Sequence, residues 1–174
     1  ISACLVGSEM CIRDRVYGLY KQFGQAGLDK IAANAVVTAS SGTTYKGVAA
    51  GEYAVGMTLE YAAQEYVAGG QKEIKLVYPS EGSYLAPEGM FIIKGAKNLD
   101  AAKALYDGLL SKASQEAQLV KNFRRPTRTD VAVASLTTLP DLSTVKIFPV
   151  SQEAAATEYE AVVAAWNQAV AQAK

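Results

Sequence analysis

The sequence predicts an α/β fold in which sheets are flanked by helices. Three observations predict it. Apolar residues recur at helical spacing in several windows, short β-branched or alternating runs lie between those windows, and Gly, Ser and Pro punctuate the joins. Hydrophobic residues make up 50% and charged residues 20% of the chain, enough apolar content for a sizeable core. No apolar run approaches the ~20 residues of a membrane span.

The elements follow in order. Val16, Leu19, Tyr20, Phe23, Gly27 and Ile31 predict a helix over 16–33. Ala35–Ala39 reads as a strand stopped by Ser40-Ser41-Gly42, and Thr43–Ala50 as a short helix that Gly51 ends. Tyr53–Leu59 reads as a second strand. Glu60–Ala68 reads as a helix closed by Gly69-Gly70, and Glu73–Tyr78 as a third strand. After a loop over Pro79–Pro87, Gly89–Lys94 is the fourth strand. Asn98 starts a helix with Asp100 in its first turn, its apolar face running from Ala102 through Leu105, Tyr106, Leu109 and Leu110 to Val120. Residues 124–150 form a connection with an apolar stretch, Val145–Val150. A last helix opens at Ser151 and buries Ala155, Tyr159, Val162, Val163, Trp166 and Val170.

Residues 1–15 stand apart. They hold both cysteines, Cys4 and Cys11, and end in the charged run Arg13-Asp14-Arg15. A signal peptide has its basic residues first and its apolar stretch after them, and here the order is reversed. The segment resembles translated read-through of a sequencing adapter, of the kind that begins predicted proteins from environmental DNA. On that reading 1–15 is foreign and the natural chain has no cysteine, which suits an oxidising envelope.

Charge and composition exclude several kinds of chemistry. Lys+Arg and Asp+Glu both number 17, which removes the electrostatic case for nucleic acid or an anionic membrane as partner. With no histidine there is no His triad, His-ligated zinc or His switch. No serine sits in a G-x-S-x-G elbow, and no catalytic residue is identified.

The sharpest local signal is Ser40-Ser41-Gly42-Thr43-Thr44, between a strand and a helix. Hydroxyls and free N–H groups at the positive end of a helix suit a phosphate, phosphonate or carboxylate. The plainer use of the same residues is capping by Ser41 or Thr43. Thr58, Glu60 and Tyr61 lie at the end of the second strand, where ligands gather in open α/β sheets. Glu60 and Tyr61 are also oxygen donors for a hard cation such as iron(III). Glu81 and Ser83 form a third polar loop. Arg124, Arg125 and Arg128 could clamp an anion, although pairing with carboxylates such as Asp130 is the commoner role.

Four segments together carry a family resemblance: SSGTTYKGVAAGEYAVGMTLE (Ser40–Glu60), VYPSEGSYLAPEGMFIIKGAKN (Val77–Asn98), AAKALYDGLLSKASQ (Ala101–Gln115) and RRPTRTDV (Arg124–Val131). In order and spacing they resemble the C-terminal half of periplasmic solute-binding proteins of ABC importers, in the ferric-iron, phosphonate and sugar-phosphate group. The resemblance implies a partial two-lobed, periplasmic-binding-protein-like (type II) fold. In it, 16–85 belong to the second lobe, 86–126 to the first after a hinge crossing, and 127–174 return to the second. It further implies a missing N-terminal half that carries the signal peptide and a periplasmic or extracytoplasmic location. The partners would be an inner-membrane ABC permease and a small solute, and the full-length protein would be a monomer.

The expected function is capture of iron(III) or a small phosphonate or phosphorylated anion, without catalysis and without a cofactor. Ligand contacts carried over by position are Ser40, Ser41, Gly42, Thr43, Thr44, Thr58, Glu60, Tyr61, Glu81 and Ser83, with Tyr61 and Glu60 as metal ligands if the cargo is iron. Ferric-binding relatives present two adjacent tyrosines, whereas Tyr61 is followed by Ala62, a weaker set for iron, and the hydroxyl-rich Ser40–Thr44 loop tilts the expectation toward a phosphorus anion. The alternatives are a transferase-like α/β enzyme that holds phosphate at Ser40–Thr44, or a fragment without function.

Overall fold

The computed structural model describes residues 3–6, 9–38, 40–85, 88–149 and 151–173, and their side chains apart from those of 3–14, Ser41 and Gln152. In chain order the elements are β1 (Ala3–Val6), α1 (Glu9–Ala32), β2 (Ala35–Thr38), α2 (Ser41–Ala49), β3 (Val55–Gly56), α3 (Glu60–Ala68), α4 (Leu99–Leu110), α5 (Lys112–Asn122), α6 (Val133–Leu136), a 3-10 turn at Leu142–Thr144 and α7 (Gln152–Gln172). The chain divides into two compact units, Ile1–Leu85 with Lys146–Lys174, and Ala86–Val145. Helices dominate and strands are few, a composition compatible with part of an α/β fold.

In the first unit three strands form a parallel sheet of order β2-β1-β3, with Ala3 opposite both Ala35 and Val55 and Val6 opposite Thr38. Parallel neighbours need long crossovers, and α1 and α2 supply them. The middle strand comes from the segment expected to be foreign. An apolar tetrapeptide (ACLV) fills an open ladder position whatever the origin of its codons, so the packing does not bear on that expectation.

The core of this unit is the seam between α1 and α7. Val16, Tyr17, Leu19, Leu28 and Ala32 interlock with Ala155, Val162, Trp166 and Ala169. The buried positions of α7 are spaced by seven, four and three residues, so they form one stripe along the helix. Ser151 starts that helix as expected, its Oγ accepting from the Ala154 amide at 3.3 Å. Polar contacts line the seam: Lys21 Nζ lies 2.8 Å from Glu158 Oε2, and Gln25 Nε2 donates to the Ala165 carbonyl at 3.1 Å. The helical run of α1 breaks at Gly24 (φ 62°, ψ −166°), a conformation that only glycine adopts without strain.

Several expected elements are shorter or absent. Of Tyr53–Leu59 only Val55–Gly56 pairs, because the amides of Glu52 and Tyr53 turn back to the Gly47 carbonyl and close the end of α2. Glu73–Tyr78 and Gly89–Lys94 enter no ladder among the described residues. Alternation predicts which face of a strand is buried, but a strand also needs a hydrogen-bonding neighbour. Expected strand end Ala39, loop residues Ala86 and Pro87, and Val150 lie outside the described residues.

In the second unit the long helix expected after Asn98 is two helices. Ser111 takes an extended conformation (φ −63°, ψ 151°), donates to the Gly108 carbonyl at 2.7 Å and caps the Ser114 amide at 3.3 Å. The side chain thus offers the backbone an alternative to a continuous helix. Asn98 is the N-cap residue of α4 without a side-chain cap bond. The expected apolar face is outward, with Leu105 64% exposed, while Leu119, Val131 and Leu139 are buried. Buried Gln115 holds the following loop, its Oε1 accepting from the amides of Thr127 (2.9 Å) and Arg128 (3.2 Å). Residues 127–139 thereby join α5.

Truncating the seam tests this assignment. Leu28→Ala and Trp166→Ala should each lower the unfolding free energy by about 2–5 kcal/mol, whereas Leu105→Ala should cost about 0.5 kcal/mol or less. Urea titration followed by far-UV circular dichroism reads both.

Candidate functional site

The Ser40–Thr44 segment is a capped helix start on a buried hydroxyl lock. Ser40, extended at φ −145° and ψ 151°, is the N-cap of α2, and its Oγ accepts from the Thr43 amide at 3.4 Å. The cap is therefore Ser40, one residue before the earliest position expected. Beneath the surface Thr38 Oγ1 donates to the Ser40 carbonyl at 3.1 Å and lies 3.2 Å from Thr44 Oγ1. Thr38 and Thr44 are both buried, so this pair fixes the turn from below. Above it the Ser40 and Thr43 hydroxyls are exposed and 3.2 Å apart. Gly42 carries no side chain to cover the amides of the first turn, and a Cβ there would meet only ordinary contacts, the nearest being Tyr45 Oη at 3.6 Å. The side chain of Ser41 lies outside the described residues.

Close approach ties this turn to β3. A Cβ on Gly56 would lie 2.7 Å from Val48 Cγ2 and 3.0 Å from Thr44 Cγ2, so only glycine lets that strand approach α2 so closely. The rings of Tyr45 and Tyr66, 5.8 Å apart, join α2 to α3.

Thr58, Glu60 and Tyr61 mark the start of α3. Its N-cap Leu59 offers no side-chain bond, and Glu60 supplies the acidic group of the first turn. A carboxylate there complements the helix dipole. Tyr78 Oη donates to Glu60 Oε1 and so anchors the carboxylate. Thr58 Oγ1 is buried with no hydrogen-bond partner among the described residues, and Tyr61 is half-buried.

Because β2 and β3 are both parallel to β1, α2 and α3 begin at the same carboxyl edge of the sheet. The topology thus brings Ser40–Thr44 and Thr58–Tyr61 to one edge, where open α/β sheets place ligands. Glu81 and Ser83 have other contacts. Glu81 is exposed and accepts from Ser80 Oγ at 3.1 Å. The backbone of Ser83 pairs with the returning chain, its amide donating to the Lys146 carbonyl (2.8 Å) and its carbonyl accepting from the Phe148 amide (3.0 Å). Tyr78 was missing from the expected site. Its place beside Pro79 in the polar VYPSEG run was the available signal, but its partner Glu60 is 18 positions away and nothing local pairs them.

The three arginines are engaged within the second unit. Arg124 meets Glu88 at 2.8 Å, Arg125 donates to the Pro140 carbonyl at 2.9 Å, and Arg128 grips Asp130 in a two-bond fork at 2.8 and 2.9 Å. That hydrogen bond holds the Asp130 carboxyl below its ordinary value and raises the Arg128 guanidinium. The pair is exposed, so its contribution to stability is small. Among the described residues no cluster of three or more acidic, Cys or His side chains forms, and no helix is long and apolar enough to cross a membrane.

A parallel sheet edge that gathers helix N-termini is where open α/β folds place their ligands. Residues 21–144 match the bacterial extracellular solute-binding protein family, and the chain belongs to that family. Its function is accordingly that of an extracytoplasmic solute-binding protein serving an ABC importer. No curated protein and no solved structure matches the chain significantly.

Two measurements probe the geometry. Ser40→Ala should destabilise the chain by about 1 kcal/mol through loss of the cap, read by urea titration. The Asp130 carboxyl, bound more tightly as the anion in the folded state, should titrate below the usual carboxylate value of about 4 in carboxyl-detected NMR. Its stabilising contribution is therefore present above the ordinary range and lost as pH falls through the lowered value. Arg128→Ala should return that titration to the ordinary range.

Proposed function

We propose that the solute is a small anion with a phosphonate or phosphoryl group, held at the N-terminal end of α2. The observation that carries this reading is the open start of that helix: exposed Ser40 and Thr43 hydroxyls, an uncovered turn at Gly42, and the buried Thr38–Thr44 lock beneath. Amides at a helix N-terminus and hydroxyl donors together match an oxyanion. The start of α3 already carries the Glu60 carboxylate, which would repel an anion there and direct it to α2. The frame is a type II two-lobed binding protein in which 16–85 belong to the second lobe, 86–126 to the first, and 127–174 return to the second. Solute is carried rather than transformed, so no cofactor is invoked.

A second reading rests on the Tyr78–Glu60 bond. It puts a phenol beside the Glu60 carboxylate, two of the hard oxygen donors that iron(III) favours, with Tyr61 next to Glu60 in sequence.

Calorimetric titration of the chain with an alkylphosphonate, a sugar phosphate and ferric citrate separates the two. Binding of a phosphorus anion should weaken about 10- to 100-fold in Thr43→Ala, the value of a hydrogen bond to a charged group. Unchanged affinity in that variant would overturn the α2 site. An intense visible tyrosinate-to-iron band, lost in both Tyr61→Phe and Tyr78→Phe, would establish the iron reading instead.

A further inference from the structure

The bond between Tyr78 and Glu60 stands at one end of a short, continuous run of contacts. Tyr78 Oη donates to the Glu60 carboxylate at the start of α3. The next four residues, Pro79–Gly82, are a turn closed by the Gly82 amide, which donates to the Pro79 carbonyl at 3.1 Å. Gly82 holds φ 136°, a region that side chains disfavour. Immediately after it, Ser83 makes two backbone bonds to the returning chain. Its amide donates to the Lys146 carbonyl at 2.8 Å, and its carbonyl accepts from the Phe148 amide at 3.0 Å. The ring of Phe148 closes over the turn: a Cβ on Gly82 would lie 3.1 Å from it, and one on Gly18 of α1 3.5 Å.

These contacts occupy a particular place in the chain. The first unit is left after Leu85 and re-entered at Lys146, so the Ser83 pairing ties together the roots of both passages. Glu60 lies at the other end of the run, on the carboxyl edge of the sheet where the candidate solute contacts gather. A long flexible linker between the two ends would absorb any displacement of Tyr78. A four-residue turn with its own hydrogen bond, packed under an aromatic ring, has no such slack. Contiguous packed and hydrogen-bonded groups of this kind are what carry coupling from one place to another.

We propose that Tyr78 is a positioning residue and the Pro79–Gly82 turn a strap. The bond to Glu60 sets the turn, and the turn couples the carboxyl edge of the sheet to the Ser83 pairing. A group that engages the Glu60 carboxylate and displaces Tyr78 thereby loosens that pairing. Loosening of the pairing in turn releases Tyr78, since such coupling is reciprocal. The inference rests on Glu60, Tyr78 and Ser83 and not on the identity of the solute, so it stands or falls apart from the α2 site.

Amide hydrogen exchange of the 174-residue chain, read by NMR at Ser83 and Phe148, tests this. Tyr78→Phe removes the donor and Glu60→Ala the acceptor. Each should speed exchange at both amides by about tenfold or more, the worth of a hydrogen bond to a charged group. The double variant should match the single ones, because both remove the same bond. Glu60→Gln keeps a carbonyl oxygen for Tyr78 and should stay slow, although it loses the charge that complements the α3 dipole. The faster exchange should be insensitive to low urea, as local openings are. Unchanged rates at Ser83 and Phe148 in Tyr78→Phe overturn the proposal. Fast exchange in Glu60→Gln overturns it too, by assigning the effect to charge at the helix start. So does a rise that follows urea as steeply as exchange at the Trp166 amide of the seam, because the bond then acts only through global stability.

Discussion

The first unit depends on the seam between α1 and α7. Leu28 and Trp166 meet there with Val162 and Ala169, and this is the apolar cluster on which the unit is built. The two helices come from opposite ends of the chain, with the whole second unit intervening in sequence. Closing so long a loop costs entropy, but the cost grows only slowly with length. Burial of a large aromatic and several aliphatic side chains, about 1.5–3 kcal/mol each, is the term that offsets it. The Lys21–Glu158 and Gln25–Ala165 contacts then select the register of the two helices.

On that base the parallel sheet decides where chemistry can happen. Parallel strands send their following helices off the same edge, so the starts of α2 and α3 share it. The two starts are electrostatically unlike. That of α3 is occupied by its own Glu60, anchored by Tyr78. That of α2 has hydroxyls and no acidic residue in its first turn. The Thr38–Thr44 lock lies under the exposed pair, where the low local dielectric strengthens it, and Gly56 permits the close approach that keeps it dry.

The second unit shows what happens when local preference lacks a neighbour. Gly89–Lys94 has the residues of a strand and keeps a strand's alternating exposure, yet it enters no ladder within the described chain. The Arg124–Arg128 region shows the opposite outcome. The arginine run, whose commoner role is pairing with carboxylates such as Asp130, is engaged by Glu88, Pro140 and Asp130, while Gln115 fastens the loop between.

The sequence alone determined the features whose physics is local. Glu60–Ala68 with its closing glycines, the Ser151 start of α7 and the inward stripe at Ala155, Val162 and Trp166 follow from helical spacing and caps. Helical hydrogen bonds reach only four residues back, so those elements can be read from a short window. The order and spacing of the Ser40–Glu60 and Val77–Asn98 segments likewise pointed to solute-binding proteins, the family the chain matches. Tertiary structure decided what requires a distant partner. It reduced Tyr53–Leu59 to two paired residues and left Glu73–Tyr78 outside any ladder among the described residues. It also brought Tyr78 to Glu60. Strand pairing, the Tyr78–Glu60 bond and the Arg124–Glu88 pair are settled between residues far apart in sequence, where neither periodicity nor propensity carries information.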